Sequence, residues 1–269
     1  MKSLLKYIAL TAGAVLFAYP FLWMFTSSLK PESEIGRLDL WSNAFSLINY
    51  EKVLVKIPIL RALLNSLIVS ASCTATVVIL GSMVGYALSR LRFAGSRGLY
   101  VLILFTMMIP FQIVLIPQYI LMVKLGWTDT YLSLIAPTMI SAFGIVLFRQ
   151  FFQSIPQALI DAARIDGCSE LTILFRIIYP LSRPVIITVA LLTFMTNWNE
   201  VLWPMMVVRE RSLMTMPQIV ALFSTGGEAE SQLGYLLAAA TLLALPVIIA
   251  YAFFQRYFIE SMASTGMKG

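Results

Sequence analysis

The chain contains six apolar blocks, each about as long as an α-helix needs to be to cross a lipid bilayer. An α-helix rises about 1.5 Å per residue, so about 20 apolar residues cross the hydrocarbon core. The sequence therefore predicts an all-α membrane protein with about six transmembrane helices. The blocks lie at about residues 7–26, 66–88, 99–123, 131–148, 185–208 and 233–255.

The composition leaves too few polar residues to coat a water-soluble globule. Of the 269 residues, 59% are hydrophobic and 12% are charged, whereas soluble domains average about 45–50% apolar and about 25% charged residues. The net charge of +6 lies in short loops between apolar blocks and forms no basic stripe with interleaved aromatic residues. We therefore expect no nucleic-acid partner.

The residues that usually carry catalysis or bind metals are scarce. Histidine is absent, and the two cysteines, Cys73 and Cys168, have no metal-like spacing. A disulfide between them is not expected, because one lies in an apolar block and the other in a polar segment on the reducing side. No Gly-Lys-Ser or Gly-Lys-Thr occurs, so no phosphate-binding loop of that type is present. The chain is predicted not to be an enzyme and to bind no metal or cofactor itself.

The first block resembles a secretory signal peptide only superficially. Its apolar part exceeds the usual 7–15 residues, and no convincing small-residue cleavage site comes before SSLKPES. We predict an uncleaved first span.

Several apolar blocks contain proline or glycine. Such residues suit a kinked bundle that moves, but they are also generally common in membrane helices, and both interpretations remain open. The residues are Pro20, Pro110, Pro117, Pro137, Pro246, Gly81 and Gly85.

The loops predict the orientation of the chain. The short stretch SRLRFAGSRG carries three arginines and no acid, and short basic loops face the cytoplasm. Both termini and the segment at 149–184 are accordingly predicted to be cytoplasmic. The segment at about 27–61 then lies outside, as a small cap or an interfacial helix.

The segment IPQALIDAARIDGCSELTILFRIIYP, residues 155–180, is amphipathic and has a glycine in its middle. Ser154 and Gln157 have the spacing of a capping box, and Gly167 suits the positive φ that ends a helix. An apolar face of small residues is predicted on this first helix, with Asp161, Arg164 and Asp166 pointing elsewhere. The apolar face comprises Ala158, Leu159, Ala162, Ala163 and Ile165.

A second helix is predicted after the glycine. Ser169 can cap it, it extends to about Ile178, and Pro180 ends it at the membrane. The product is a helix, a sharp corner and another helix. The first helix could dock on a partner protein, pack on its own bundle or lie on lipid headgroups.

The spacing of this segment resembles a known motif. Asp161-Ala162-Ala163, three residues, Gly167, nine residues, Ile177, one residue and Tyr179-Pro180 resembles the EAA loop of permease subunits of ATP-binding-cassette importers. That pattern reads E-A-A, three, G, nine, I, one, L-P. Asp161 departs from the glutamate and Tyr179 departs from the leucine.

The resemblance extends over almost the whole chain and is closest to the sugar-transporting branch. The stretches that carry it are YALSRLRFAGSRG, MMIPFQIVLIPQY, LFRQFFQSIPQALIDAARIDG, TNWNEVLWP and STGMKG. Within that branch, the chain is similar to the six-span subunit of maltose-type permeases.

The resemblance implies a type I importer transmembrane domain in the cytoplasmic (inner) membrane of a prokaryote. It implies a second permease subunit of different sequence that forms a heterodimer with this chain, two ATP-binding subunits that hold ATP and Mg, and an extracytoplasmic solute-binding protein. The expected organisation is a first helix and outside loop at 1–61, then a core domain at 62–269 with the EAA loop at about 155–184. The residues expected to couple to the ATPase are Asp161, Ala162, Ala163, Arg164, Asp166, Gly167, Ile177 and Pro180.

Polar residues within the fifth block are candidates for the solute pathway. Asn197, Asn199, Glu200 and Trp203 combine the amides, carboxylate and indole that a sugar site uses. They could instead belong to the outer interface and its aromatic belt or tie helices together. Thr193 and Asn65 are weaker candidates.

Three other functions compete with sugar import. An importer permease for amino acids or peptides would share the EAA loop. An ion-coupled secondary transporter would need inverted repeats and buried acids, yet Glu200 is the only acid in the predicted spans. A membrane scaffold would have little use for the long EAA-like pattern.

Overall fold

The chain is almost entirely helical in the computed structural model, which describes residues 2–225 and 232–266. Within these two stretches there are helices and turns but no strand. The end of the STGMKG stretch, including Lys268, lies outside the described residues. The α-helices, numbered in chain order, are α1 Lys2–Ser28, α2 Glu32–Ile35, α3 Ile48–Lys56, α4 Ile59–Arg90, α5 Ser96–Met107, α6 Phe111–Lys124, α7 Tyr131–Ile135, α8 Ala142–Gln153, α9 Gln157–Ile165, α10 Glu170–Thr172, α11 Tyr179–Leu181, α12 Arg183–Trp198, α13 Leu202–Val207, α14 Met216–Thr225 and α15 Leu233–Gly266.

Among the described residues, three helices are long and apolar enough to cross a bilayer without a break. They are Leu5–Ser28, Ile59–Arg90 and Leu233–Phe253. Three bent pairs of helices bring the number of candidate spans to six, if each pair counts as one. The prediction of about six spans is therefore confirmed, but half of the spans are not single straight helices.

The third apolar block was expected to form one helix, and that expectation is wrong. α5 ends at Met107 and α6 begins at Phe111, with a bend of 99° between them. Pro110 is the N-cap of α6 and has extended backbone angles. A proline lacks an N–H and disfavours helical geometry in the residue before it, which favours a break at this position.

The fourth and fifth blocks are also interrupted. Tyr131–Thr138 meets α8 at 42°, and Pro137 lies in the 3-10 turn just before the break. In the fifth block, α12 ends at Trp198 and the separate helix α13 covers Leu202–Val207. By contrast, Pro20, Pro117 and Pro246 lie inside continuous helices.

Two compact units divide the described chain. One combines Met1–Leu64 with Met214–Ile249, and the other combines Asn65–Leu213 with Ala250–Gly269. In the first unit, the segment after α1 contains the two short helices α2 and α3. The buried Asn49 amide donates to the carbonyls of Ser28 and Lys30, at 2.8 and 2.9 Å, and so holds α3 against the end of α1.

The core of the second unit joins α4 and α8 to the segment that follows them. Phe148 and Phe152 of α8 are fully buried and stacked, with ring centroids 5.6 Å apart. Gly85 of α4 lies directly against α8, since a Cβ there would be 2.7 Å from the Cβ of Phe148. Other buried members of the same cluster are Val77, Tyr86, Ile155, Ile160, Ala163, Ile173, Leu174, Ile178, Val185 and Val189.

Candidate functional site

A sharp corner separates α9 from α10, as the sequence predicts. Gly167 has φ +77°, in the left-handed region. The Cys168 N–H donates to the Ala163 carbonyl and the Gly167 N–H to the Arg164 carbonyl, each at 3.0 Å. This pair of bonds is the Schellman motif, which closes a helix by satisfying its last carbonyl groups. The corner is therefore set by the backbone.

The predicted capping box at the start of α9 is wrong. Ser154 is the C-cap of α8 with helical backbone angles, and its hydroxyl donates to the Phe151 carbonyl at 2.7 Å. An N-cap residue needs extended backbone instead. α9 begins after Pro156, whose φ of −57° already suits a first turn.

The helix after the corner begins as predicted and ends later than predicted. The Ser169 hydroxyl accepts from the Thr172 N–H at 3.3 Å, so Ser169 is the N-cap. The chain then continues through a π-helix, Ile173–Ile178, into α11. Pro180 is the second residue of α11, and the 89° bend toward α12 falls at Ser182.

The apolar face predicted for α9 is split between two sides. Of the five predicted residues only Ala163 is buried, at 6% exposed, and it holds α9 on the core together with the fully buried Ile160, which the prediction left out. The other apolar residues point outward: Ile165 is 86% exposed, Leu159 is 46% exposed, and Ala158 and Ala162 are exposed. We call Ala158, Leu159, Ala162 and Ile165 the outer face of α9.

An ion pair spans the corner. The guanidinium of Arg164 on α9 lies 2.8 and 3.2 Å from the two carboxylate oxygens of Glu170 on α10. The Tyr86 hydroxyl of α4 donates to the same carboxylate. The corner is thereby connected to the end of a long membrane helix.

Arg90, the last residue of α4, supports the other end of α9. Its guanidinium donates to the Gln157 side chain at 2.7 Å and to the carbonyls of Phe152 and Ile155. Gln157 in turn donates to Asp161 at 2.9 Å. We call Tyr86, Arg90, Gln157, Arg164 and Glu170 the corner brace.

The sequence points to two of the five members of the corner brace, Arg164 as a coupling residue and Gln157 as part of the capping box that does not form. It assigns no role in the corner to Tyr86, Arg90 or Glu170. The available signal was the position of Arg90 at the end of an apolar block, where its guanidinium must find acceptors at the membrane boundary.

The charges of the corner reinforce each other. The hydrogen bond from Arg164 holds the pKa of the Glu170 carboxyl below its usual value, and the same bond raises the pKa of Arg164. Arg164 and Glu170 both come before the apolar helix α12 along the chain. The ion pair is therefore formed at any physiological pH.

The remaining residues of the predicted coupling set have different surroundings. Asp161 and Asp166 are exposed, and Asp161 lies 3.4 Å from Arg164. Ile177 is partly buried against the core, whereas Pro180 is exposed. Tyr179, which departs from the family pattern, hydrogen-bonds through its hydroxyl to Ser82 of α4 at 2.6 Å.

The polar residues of the fifth block lie where α12 ends. Asn197 and Asn199 donate to the carbonyls of Thr193 and Met195, at 2.9 and 2.8 Å, and Asn199 is exposed. Glu200 is half-buried and accepts from the backbone N–H of Trp203 at 3.1 Å.

Trp203 is packed inside the second unit. It is 3% exposed, its indole N–H donates to the Ser133 carbonyl at 2.8 Å, and its ring meets Phe111 edge to face. No face of this indole is open to a ligand in this conformation.

The side chain of Asn65 on α4 connects two other segments of the second unit. It is 1% exposed, donates to the Ser212 carbonyl at 2.9 Å and accepts from the Tyr131 hydroxyl at 2.6 Å.

Both cysteines are free thiols. Cys73 is fully buried, with its sulfur 3.0 Å from the Thr138 hydroxyl, and Cys168 is half-buried beside Gly167. Among the described residues, no cluster of three or more potential ligands could hold a metal ion.

The described residues thus form up to six candidate spans, and the helix that follows the Gly167 corner begins one of the three bent pairs. Residues 77–264 match the family described as "Binding-protein-dependent transport system inner membrane component". The chain belongs to this family.

Three similar proteins and a similar structure each match 95% or more of this chain. The arabinooligosaccharides transport system permease protein AraQ of Bacillus subtilis (strain 168) is 33% identical over 95% of this chain and 92% of its own length. The lactose transport system permease protein LacG of Rhizobium radiobacter is 28% identical over 97% and 95%. The sn-glycerol-3-phosphate transport system permease protein UgpE of Brucella abortus (strain 2308) is 28% identical over 98% and 97%.

A solved structure is also similar to this chain. A chain from the crystal structure of a bacterial ABC transporter involved in the import of the acidic polysaccharide alginate superposes with a TM-score of 0.82. The two sequences are 26% identical, and the match covers 95% of this chain and 96% of the other. The fold is thus that of an ABC importer permease.

Proposed function

We propose that this chain forms half of the translocation pathway of an ATP-driven sugar importer. A second, non-identical permease forms the other half, two ATP-binding subunits supply the energy, and an extracytoplasmic binding protein delivers the solute. Both termini and the α9 corner face the cytoplasm. ATP and Mg belong to the partner subunits, and this chain performs no chemistry.

The observation that carries the proposal is the outer face of α9. It exposes Leu159 and Ile165 outside the apolar spans, and exposed apolar residues rimmed by charge mark protein interaction sites. Asp161 and Asp166 supply that rim. We assign the ATP-binding subunit as the occupant, because the chain is similar to components of ABC transporters, which are driven by ATP.

The corner brace supports the transmission of that force. α9 is fixed to α4 through Arg90, and α10 is fixed to α4 through Tyr86. A displacement of α9 by the ATPase would therefore move the end of a membrane helix with it. Rigid-body rotation of such bundles is a known route between two open states.

The assignment of sugar as the solute rests on the relatives. Two of them are named for arabinooligosaccharides and lactose, and the third is named for a phosphorylated polyol. Asn199, which is exposed, and Glu200, which is half-buried, are our candidates for direct contact with sugar hydroxyl groups. Asn197 and the buried Trp203 would then position this part of the pathway.

The docking proposal is tested by placing a charge on the outer face. Ile165→Asp should reduce co-purification of the ATP-binding subunit and ATP-dependent uptake by about tenfold or more, because it puts an unpaired charge in the interface core. Val55→Asp is the matched control, since Val55 is 87% exposed on α3. Normal association and uptake in Ile165→Asp would refute the docking proposal.

The solute is tested separately. Membrane vesicles that contain the assembled transporter and its binding protein would be offered labelled oligosaccharides, amino acids and short peptides. ATP-dependent accumulation of a saccharide supports the sugar assignment. Accumulation of amino acids or peptides instead would overturn it while leaving the importer assignment intact.

A further inference from the structure

A groove with two arginines lies at one end of the membrane helices of the second unit. It has a volume of about 520 Å³, and it lies where α4 ends, α5 begins and α8 approaches its own end. This volume is within the range of ligand-binding sites. The groove is separate from the outer face of α9 and from the polar residues of the fifth block.

The polar end of the groove suits an anion. Arg97 and Arg149 both line it, and no acid is among its lining residues in the described chain. The guanidinium of Arg149 lies over the Tyr100 ring, 3.9 Å from its centre, and this cation–π contact positions the side chain. The Nε atom of Arg149 is buried and has no hydrogen-bond acceptor among the described residues. Two guanidinium groups presented together are the usual protein ligands of a phosphate.

The start of α5 adds to this preference. Ser96, the first residue of α5, lines the groove. The preceding Gly95 is the N-cap and has no side chain with which to satisfy the first N–H groups of the helix. The first turn of a helix is electrostatically favourable for a negative charge.

The other wall of the groove is apolar and points along the membrane helices. Leu88 belongs to α4, and Val101 and Leu104 belong to α5. Val101 and Leu104 are 42% and 38% exposed, and Leu99, Leu102 and Phe105 of the same helix are exposed as well. A soluble anion would gain nothing from this wall, whereas an acyl chain attached to a headgroup would cover it.

We propose that this groove binds an anionic membrane phospholipid, with Arg97 and Arg149 holding the headgroup phosphate and the apolar wall receiving an acyl chain. Basic pockets between membrane helices recognise anionic headgroups in this way. The proposal requires only that the chain is embedded in a membrane, and it does not depend on the solute or on the docking of an ATPase.

The site lies close to the corner brace. Leu88 is two residues before Arg90, and Arg149 is on α8, whose last turn carries the Phe152 carbonyl that Arg90 binds. A bound lipid would hold α4, α5 and α8 together next to the brace.

Native mass spectrometry of the full-length chain in its assembly tests the proposal. After delipidation in detergent, the protein would be exposed to dioleoyl phosphatidylglycerol or to dioleoyl phosphatidylcholine. Phosphatidylglycerol should be retained in preference to phosphatidylcholine, and Arg97→Ala and Arg149→Gln should each lower its affinity by about tenfold, the effect of losing one charge-assisted contact. Arg149→Lys, which keeps the charge, should lower it less.

Arg92→Ala is the matched control. Arg92 is an exposed arginine of the loop between α4 and α5 and does not line the groove, so its loss should change the affinity by less than about twofold. Because Arg97 is also exposed, Arg97→Ala keeps the test valid even if Arg149→Gln does not fold.

Three results would overturn the proposal. Equal retention of phosphatidylcholine would indicate ordinary boundary lipid. Equal losses in Arg92→Ala and Arg97→Ala would indicate diffuse attraction to a basic surface. Displacement of the lipid by low-millimolar inorganic phosphate would assign the groove to a soluble anion instead.

Discussion

The Nε atom of Arg164 lies 2.8 Å from Oε1 of Glu170, and this ion pair closes the turn that Gly167 makes possible. The two side chains are 33% and 40% exposed, so the pair alone is worth no more than about 1 kcal/mol. Its importance is geometric, because Glu170 also accepts from Tyr86. The pair thus fixes α9 relative to α10 and both helices relative to α4.

Glu170→Gln should weaken this arrangement without changing its shape. We expect a loss of about 0.5–1 kcal/mol in the free energy of unfolding, measured by thermal unfolding in detergent. Asp161→Asn is the control, since Asp161 is 54% exposed and 3.4 Å from Arg164. A larger loss in the control than in Glu170→Gln would contradict the brace.

The same pair predicts a dependence of stability on pH. The pKa of Glu170 is lower in the folded chain than its ordinary value of 4.5. Its contribution is therefore fully present above about pH 4.5 and is lost as the pH falls through the folded-state pKa. Unfolding of the native chain and of Glu170→Gln should be compared between neutral pH and pH 4 or below. The difference between them should shrink on acidification, and a constant difference would contradict the assignment.

Gly167→Ala tests the backbone of the corner. No atom lies within 4 Å of the position that a Cβ would occupy, so any cost comes from φ +77° alone and amounts to about 1–2 kcal/mol. Gly167→Asn should cost less, because asparagine tolerates this conformation. The two variants should therefore rank in that order by thermal unfolding, and equal stability of Gly167→Ala and the native chain would show that the corner relaxes.

Two glycines of α4 should respond to alanine with opposite signs. At Gly85 the new Cβ would lie 2.7 Å from Phe148 and 3.0 Å from the Arg149 nitrogen, and such overpacking costs about 1–3 kcal/mol. At Gly81 the nearest atom is 3.7 Å away, so alanine should stabilise the helix by up to about 1 kcal/mol. Thermal unfolding of both variants in detergent distinguishes the two effects, and equal shifts would mean that α4 and α8 are not in close contact at Gly85.

Tyr179→Phe removes one hydroxyl from the junction of α11 and α4. The Ser82 hydroxyl also donates to the Ile79 carbonyl at 2.9 Å, so the loss should be about 0.5–1.5 kcal/mol. A cycle with Ser82→Ala checks the partner, since the double variant should lose less than the sum of the two single variants. Strict additivity would show that the two hydroxyls do not interact.

The parts of this fold that could be predicted are those that follow from local chemistry. Apolar blocks of bilayer length, the positive φ at Gly167 and the N-cap at Ser169 each depend on a few neighbouring residues. The break at Pro110 was not predicted, because Pro20, Pro117 and Pro246 are equally apolar in context yet lie inside continuous helices. Which proline breaks a helix depends on packing partners that the sequence does not reveal.

The candidate site likewise contains some features that local sequence predicts and others that it does not. The spacing around Gly167 predicted the corner, but Tyr86 and Glu170 are 84 positions apart and no periodic pattern connects them. Nor did the sequence distinguish the buried Ala163 from the exposed Ala162, since both are alanines in an amphipathic helix. Only the tertiary structure shows which residues of α9 pack on the core and which belong to its outer face.

The corner also contains a natural attachment point for a spectroscopic probe. Cys168 directly follows Gly167 and is half-buried, whereas the other cysteine, Cys73, has no exposed surface. A maleimide dye or spin label should therefore modify the native sequence at one place, without prior removal of other thiols. The bending of this segment during a transport cycle could then be followed in real time on an otherwise unmutated chain.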